Sequence, residues 1–176
     1  MELKEFGGSA RDLKVNAEIR RNGALFKIFY EVKGDIDLLV LPKFLTRNDL
    51  PGRRTDLLWN RTCFELFLGF KDSPEYYEFN FSPEGNWALY HFNSFRTGMS
   101  NSEHFKAPRL NCLASKAGVV LETELIPATQ HLESCSFDAA LSAILELKSG
   151  EKLFWALAHN GSQPNFHDRN GFVVRI

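Results

Sequence analysis

The sequence lacks the features that mark several large classes of protein. It holds three cysteines, an odd number without Cys-x-x-Cys spacing, so neither a disulfide framework nor a zinc site is indicated. Its 21 Lys and Arg against 22 Asp and Glu give a net charge of −1, without the basic stripe that nucleic acid or anionic lipid requires. No uncharged apolar run approaches the roughly 18 residues that span a bilayer, and the N-terminus lacks a signal-peptide core. We therefore expect a cytoplasmic protein without a nucleic-acid or membrane partner.

Aromatic residues are abundant, with 16 Phe, 4 Tyr and 3 Trp, and this composition favours strands over helices. Apolar and polar residues alternate over 13–19 and 24–32, and Arg21-Asn22-Gly23 between them is typical of a hairpin turn. Residues 139–147 could form a helix by propensity, but their period of two predicts a strand. Further strands are predicted over residues 62–70, 76–82, 87–92, 119–126, 137–147, 153–159 and 172–176.

About ten strands with turns between them and little helix predict an all-β protein, a single antiparallel β-sandwich domain over residues 1–176. Residues 41–57 and 93–107 are predicted to be long loops, and loops of this length in a compact domain are often functional. No repeat or linker divides the chain.

Residues 58–92 carry polar side chains on strand faces where a sandwich normally buries aliphatic ones. Glu65 lies between Cys63 and Phe67 on one face of its predicted strand, and Glu78 and Asn80 share one face of the next strand. A carboxylate among apolar neighbours must be paired or hydrogen-bonded, because burying it alone costs several kcal/mol or more. The pattern therefore predicts a binding face.

Four motifs occur in order along the chain: FELFLGF, EYYEFNFSPEGNW, ETELIPATQHL and FWALAHNGSQPNFHDRNGFVVRI. Together they resemble the family-9 carbohydrate-binding modules and the wider DOMON-like superfamily over about residues 59–176. The resemblance implies an immunoglobulin-like or jelly-roll sandwich whose members bind sugars or haem. It matches Glu65 and Asn80 to the glutamate and the strand amide of the family motif. The stand-alone bacterial branch with Trp-x-x-Thr-Cys-Phe-Glu has no activity that the resemblance transfers.

A pyranose presents an apolar C–H face and a ring of hydroxyls, so its site needs a flat aromatic ring and fixed polar groups. The candidate stacking platforms are Trp59, Trp87, Tyr90 and Trp155. The candidate hydroxyl partners are Arg61, Glu65, Glu78, Asn80, Arg96 and His159. In the alternative interpretation the indoles fill the core and Glu65 pairs with Arg61 or Arg96. We expect a non-catalytic module without a cofactor that binds a small saccharide or a glycosylated ligand.

Other functions stay open. DOMON-type cytochrome domains hold haem b through Met and His, which Met99 and His159 could supply, with His167 as a second histidine. Glu65 and Glu78 could form a glycosidase pair, but no catalytic motif accompanies them. No ladder of acidic ligands accompanies Asp138 or residues 168–171, so no metal is predicted. An exposed aromatic face could also bind a protein partner.

Overall fold

The computed structural model describes residues 1–8, 11–42 and 52–176. Two antiparallel sheets pack face to face, which confirms the predicted all-β sandwich. The small sheet has the order β2-β3-β9-β8, and the large sheet has the order β1-β11-β10-β4-β5-β6-β7, with β12 paired to β10. The strands are β1 (Lys4–Glu5), β2 (Leu13–Asn22), β3 (Leu25–Gly34), β4 (Cys63–Phe70), β5 (Tyr76–Phe81), β6 (Trp87–Phe92), β7 (Ser100–Asn101), β8 (Arg109–Ser115), β9 (Gly118–Leu125), β10 (Phe137–Glu146), β11 (Lys152–Ala156) and β12 (Val174–Arg175).

Helix is limited to one short element in the described residues. It is α1 (Gln130–Glu133), and three 3₁₀ turns cover Ile36–Leu38, Leu58–Asn60 and Arg169–Gly171. No helix in this part of the chain is both long and apolar enough to cross a membrane.

The main core lies between the two sheets. Strand alternation directs Phe64 and Leu66 of β4 and Phe79 of β5 inward, where they are at most 1% exposed. Phe26 of the small sheet meets Phe137 of the large sheet edge to face, with ring centroids 6.1 Å apart. Each fully buried side chain of this kind stabilises the fold by about 1.5–3 kcal/mol, so the core holds the sheets in register with each other.

Most predicted strands are confirmed, with shifted ends. Residues 139–146 of the stretch predicted over 139–147 belong to strand β10, which pairs with both β4 and β11. Strand β8 was not predicted, although Leu110 and Cys112 alternate with exposed or half-buried neighbours. The strand predicted over 153–159 ends at Ala156, and the closing strand is only Val174–Arg175. Residues 43–51 of the loop predicted over 41–57 lie outside the described residues, and the loop predicted over 93–107 contains β7.

The outward face of the large sheet is covered by irregular segments. Within residues 157–173, His167 and Phe172 pack on Phe67 of β4. Arg169 donates hydrogen bonds to the carbonyl oxygens of Phe70, at 2.8 Å, and Glu75, at 3.1 Å. The guanidinium fits there because residue 69 is glycine, since a Cβ atom at Gly69 would lie 1.7 Å from it. Phe172 packs under this guanidinium, 4.8 Å from ring centroid to Cζ. The covering segment thus creates a second buried layer outside the sheet.

Candidate functional site

A cavity of about 330 Å³ lies on the outward face of the large sheet and is called the outer cavity here. Its volume falls in the range of small-molecule sites, about 300–1,000 Å³. Two carboxyl side chains, Glu65 of β4 and Glu78 of β5, contribute to its lining. The other lining residues are Trp59, Phe92, Arg96, Met99, Ile144, Phe154, Pro164, Phe166 and His167.

Glu65 lies at the centre of this face and is 3% exposed. Its register neighbours are Asn80 on β5 and Ser142 on β10, and its Oε2 accepts a hydrogen bond from the Ser142 hydroxyl at 3.2 Å. Burial raises the pKa of Glu65 well above its ordinary value, and the nearby charge of Glu78 raises it further. The carboxyl group is therefore held towards its protonated form, in which it both donates and accepts hydrogen bonds.

Glu78 is fixed by the amide of Asn80 on the same strand. Asn80 donates from Nδ2 to Oε1 of Glu78 at 2.7 Å, and its Oδ1 accepts from the Cys63 thiol at 3.3 Å. Burial raises the pKa of Glu78 to about 7, although the Asn80 hydrogen bond and the charge of Arg96 act in the opposite direction. Asn80 itself is fully buried and does not line the outer cavity. Its role in this geometry is to orient Glu78.

His167 forms one wall and is neutral at pH 7. Burial lowers its pKa to about 4, with a further contribution from the charge of Arg96. The Tyr76 hydroxyl accepts a hydrogen bond from the Arg96 backbone N–H at 3.1 Å and lies 2.8 Å from Nδ1 of His167. Because the Tyr76 oxygen accepts from Arg96, we assign its hydroxyl as the donor to Nδ1 of His167. The neutral imidazole then carries its proton on Nε2, which lies 3.8 Å from Oε2 of Glu78.

Trp59 is the predicted stacking platform that the structure places at the outer cavity. The 3₁₀ turn Leu58–Asn60 carries it, and the ring is half-buried. Its ring packs edge-on against Tyr90, with centroids 5.7 Å apart. Tyr90 is 3% exposed and donates its hydroxyl proton to Asp56 at 2.7 Å, so it supports Trp59 without lining the cavity.

The other two indoles lie in the core between the sheets, which corrects the prediction that they are stacking platforms. Trp87 of β6 is 6% exposed, donates from Nε1 to the Gly52 carbonyl at 3.1 Å and lies under the Arg54 guanidinium. Trp155 of β11 is 5% exposed, and its Nε1 has no hydrogen-bond partner within the described ranges. Both belong to the inward-facing set of their strands, so neither reaches the outer cavity.

Three predicted polar partners differ in their relation to the cavity. Arg96 lines it, and its guanidinium donates to Asn165 Oδ1 at 3.2 Å. Arg61 is 71% exposed, lies 3.6 Å from Glu146 and does not line the cavity, which corrects its assignment to the site. His159 is also outside the lining, with Nε2 2.8 Å from the Lys4 carbonyl, so its assignment is corrected too. In the part of the chain that the structure describes, no ion pair joins Glu65 to Arg61 or Arg96, which corrects the alternative pairing.

Several lining residues of the outer cavity were not predicted from the sequence. Phe92 and Ile144 lie on outward strand positions, and the alternation of β6 and β10 contained that signal. Phe154 likewise faces outward from β11. Pro164 and Phe166 lie in an irregular segment that has no periodicity, so no sequence signal placed them.

The residues do not fit a haem held between Met99 and His159. Met99 lines the outer cavity and is 47% exposed, but His159 is outside the lining. His167 lies in the cavity with Nδ1 bonded to Tyr76 and its other nitrogen facing Glu78. Axial ligation would break these contacts. Within residues 1–8, 11–42 and 52–176, no group of three or more His, Cys, Asp or Glu side chains is arranged to hold a metal ion.

A second concavity, about 560 Å³, lies on the outward face of the small sheet. Solvent-exposed charged pairs line it, including Lys27 and Glu124 at 3.3 Å and Arg20 and Glu18 at 2.5 Å. Exposed pairs of this kind are ordinary surface features that contribute about 0–1 kcal/mol. This concavity is larger than the outer cavity but lacks its buried carboxyl groups, so we do not assign it as the functional site.

No protein-family model matches the sequence, and a search of curated proteins gives no match. Among solved structures, the chain is similar to a protein from Bacteroides uniformis ATCC 8492 described as a "putative carbohydrate-binding protein". That alignment has a TM-score of 0.60 and 16% identity and covers 92% of this chain and 77% of the other. A family-9 carbohydrate binding module from Caldicellulosiruptor kristjanssonii, in complex with glucose, aligns with a TM-score of 0.49 and 9% identity over 88% of this chain and 71% of that one. The first likeness shows that the two proteins share the β-sandwich fold.

Proposed function

We propose that the outer cavity binds a small saccharide or a glycosylated ligand and that the protein performs no chemistry on it. One observation carries this proposal: two buried carboxyl groups, Glu65 and Glu78, and several aromatic rings line a single cavity of about 330 Å³. The sequence resemblance to family-9 and DOMON-like modules agrees with it. The shared fold with a protein described as "putative carbohydrate-binding protein" is in keeping with the same class of ligand.

The cavity offers both kinds of contact that a pyranose needs. Trp59, Phe154 and Phe166 supply aromatic surface for the apolar C–H face of the ring. Glu65 and Glu78 supply hydrogen-bonding oxygens for hydroxyl groups. Because the pKa of Glu78 is about 7, its carboxyl group donates or accepts near neutral pH according to its proton, which suits a hydroxyl that does both.

The electrostatics of the pair support binding without catalysis. A glycosidase uses two carboxyl groups whose environments push their pKa values apart, so that one donates a proton while the other stays ionised. Here burial raises the pKa of both Glu65 and Glu78. Neither environment favours a permanently ionised nucleophile.

The test is calorimetric titration with glucose, galactose, mannose, xylose and cellobiose, alongside thermal unfolding. A sugar at about 100 times its dissociation constant should stabilise the fold by about 2.7 kcal/mol. The variant Trp59→Ala should weaken binding at least tenfold, because it removes the stacking surface. The matched control is Arg61→Ala, whose side chain is exposed and outside the cavity.

The proposal fails if no sugar binds or stabilises the protein, or if Trp59→Ala binds as the wild type does. Trp59 also contacts Tyr90, so far-UV circular dichroism must show that the variant folds. Glu65→Gln provides a second test, since an amide has the shape of the protonated carboxyl group and should keep the fold while altering sugar affinity.

A further inference from the structure

Two acidic side chains, Glu65 and Glu78, share the floor of the outer cavity. Their arrangement determines which charge a ligand should carry. Glu65 is directly opposite Asn80, and Glu78 is directly opposite Phe67, so the two carboxyl groups are diagonal neighbours on paired strands. Diagonal neighbours lie within about 7–8 Å, close enough for one small ligand group to contact both. Both side chains are at least nine-tenths buried, at 3% and 5% exposed.

The protein itself supplies these carboxyl groups with neutral partners. Glu65 accepts from the Ser142 hydroxyl, and Glu78 accepts from the Asn80 amide. In the described part of the chain, Oε1 of Glu65 makes no hydrogen bond, and no Lys or Arg forms an ion pair with either group. Arg96, a cationic side chain that lines the cavity, donates to Asn165 and, among the described residues, forms no ion pair with either group, although its charge lowers the pKa of both. The floor therefore has acceptor capacity that the fold leaves unused.

The walls around this floor are aromatic. Trp59, Phe92, Phe154 and Phe166 all line the cavity. The face of an aromatic ring attracts a cation within about 6 Å, and desolvation strengthens that attraction to about 2 kcal/mol or more. Buried carboxylates below and aromatic rings at the sides suit an ammonium group better than a hydroxyl group, because the hydroxyl gains only hydrogen bonds.

We propose that the ligand is a saccharide with a protonated amine, such as an amino sugar, whose ammonium group lies between Glu65 and Glu78. This inference rests on the proposed saccharide-binding function and specifies the substituent that the cavity selects. The sugar ring then lies against Trp59, and the charged amine occupies the floor.

Proton release is a measurable consequence. Burial raises the pKa of both carboxyl groups, and a bound ammonium lowers both values, so protons leave as the ligand enters. The charge of Arg96 lowers the pKa of both groups, and the other titratable groups around the pair are Tyr30, Cys63, Tyr76, Tyr90 and His167. The phenols and the thiol have raised pKa values, and His167 is neutral above about pH 4, so the released protons come from Glu65 and Glu78.

The experiment is calorimetric titration at pH 6.5 with glucosamine, glucose and N-acetylglucosamine, each in two buffers of different ionisation enthalpy. We expect glucosamine to bind at least tenfold more tightly than glucose, and we expect its enthalpy to change with the buffer. N-acetylglucosamine should lose the preference, because acylation removes the charge. The double variant Glu65→Gln/Glu78→Gln should abolish the preference for glucosamine. The control variant is Glu146→Gln, whose side chain lies on the outward face of β10 but outside the cavity. It should retain the preference for glucosamine.

Equal or tighter binding of glucose would overturn the charge preference while leaving saccharide binding intact. Absence of binding by all three sugars and by the wider panel would overturn both proposals. The comparison among the three sugars uses the wild-type protein alone, so the inference stays testable even if the double variant fails to fold.

Discussion

The outward faces of the two sheets carry acidic residues in different environments. On the small sheet, Glu122 and Glu124 are exposed, and Glu124 pairs with Lys27 at 3.3 Å. On the large sheet, Glu65 and Glu78 are buried beneath the segment that follows β11 and the loop that follows β6. The same residue type at equivalent strand positions therefore forms ordinary surface in one sheet and a candidate site in the other. What decides between them is the chain segment that covers the face.

The two environments also differ in energy. An exposed ion pair contributes about 0–1 kcal/mol, whereas a buried carboxyl group without a cationic partner opposes folding by an amount that its hydrogen bonds only partly offset. Natural proteins tolerate such local conflicts chiefly at functional sites. The buried carboxyl groups on the outward face of the large sheet are thus the kind of local conflict that marks a candidate functional site.

The largest expected effect is a difference in stability between alanine variants of two outward-facing phenylalanines. Phe67 of the large sheet is 1% exposed and contacts His167 and Phe172, with centroids 5.3 and 5.7 Å away. Phe29 of the small sheet is only half-buried. We expect Phe67→Ala to lower the free energy of unfolding by about 3–5 kcal/mol and Phe29→Ala by less than half of that. Urea unfolding measures both, and equal losses would show that the covering segment does not create a buried layer.

The next effect concerns pH. Since the pKa of Glu78 in the folded protein is raised to about 7 from an ordinary value of 4.5, its proton stabilises the fold fully below pH 4.5, and that stabilisation is lost as pH rises through about 7. His167 acts oppositely, because its lowered pKa of about 4 removes stability as pH falls from 6.5 towards 4. The difference between Glu78→Gln and the wild type isolates the carboxyl group.

We expect the variant Glu78→Gln to gain roughly 1–3 kcal/mol in free energy of unfolding relative to the wild type between pH 5 and pH 8. The matched variant Glu122→Gln, on the exposed face of the small sheet, should show no such trend. Denaturant unfolding across this range provides the measurement. A pH-independent difference for Glu78→Gln would mean that its carboxyl group titrates normally.

A smaller difference in stability is expected between alanine variants of two asparagines, each of which donates a hydrogen bond to a glutamate. Asn80 is fully buried and donates to Glu78 at 2.7 Å, whereas Asn111 donates to the exposed Glu122 at 3.4 Å. Asn80→Ala should cost about 1–3 kcal/mol, because it leaves a buried carboxyl oxygen without its donor. Asn111→Ala should cost less than about 0.5 kcal/mol. Similar costs at the two positions would contradict the difference between the faces.

Strand alternation was sufficient to predict the sandwich and to place Glu78 and Asn80 on one face of β5, because a period of two fixes which residues of a strand point the same way. The same alternation places Trp87 and Leu89 on one face of β6. It does not show which face of the strand meets the partner sheet, because that depends on packing between distant strands. Trp87 was therefore misassigned to the site. Strand β8 escaped prediction because polar residues such as Asn111 and Ser115 weaken its apolar pattern.

The covering segment could not be predicted for a different reason. Phe166 and His167 lie in irregular chain, where neither helical nor strand periodicity applies. Their position depends on tertiary contacts such as the Arg169 guanidinium over Gly69. The strand residues of the candidate site thus follow from local pattern, and its residues in irregular segments follow from long-range packing.

The most direct test of the central claim uses the three tryptophans as reporters. In a ¹H–¹⁵N spectrum each indole N–H gives one cross-peak, and the protein is titrated with the tightest-binding sugar of the panel. The cross-peak of Trp59, at the outer cavity, should shift, while those of Trp87 and Trp155, in the core, should stay in place. Shifts confined to Trp87 or Trp155, or the absence of any shift, would contradict a saccharide site on the outward face of the large sheet.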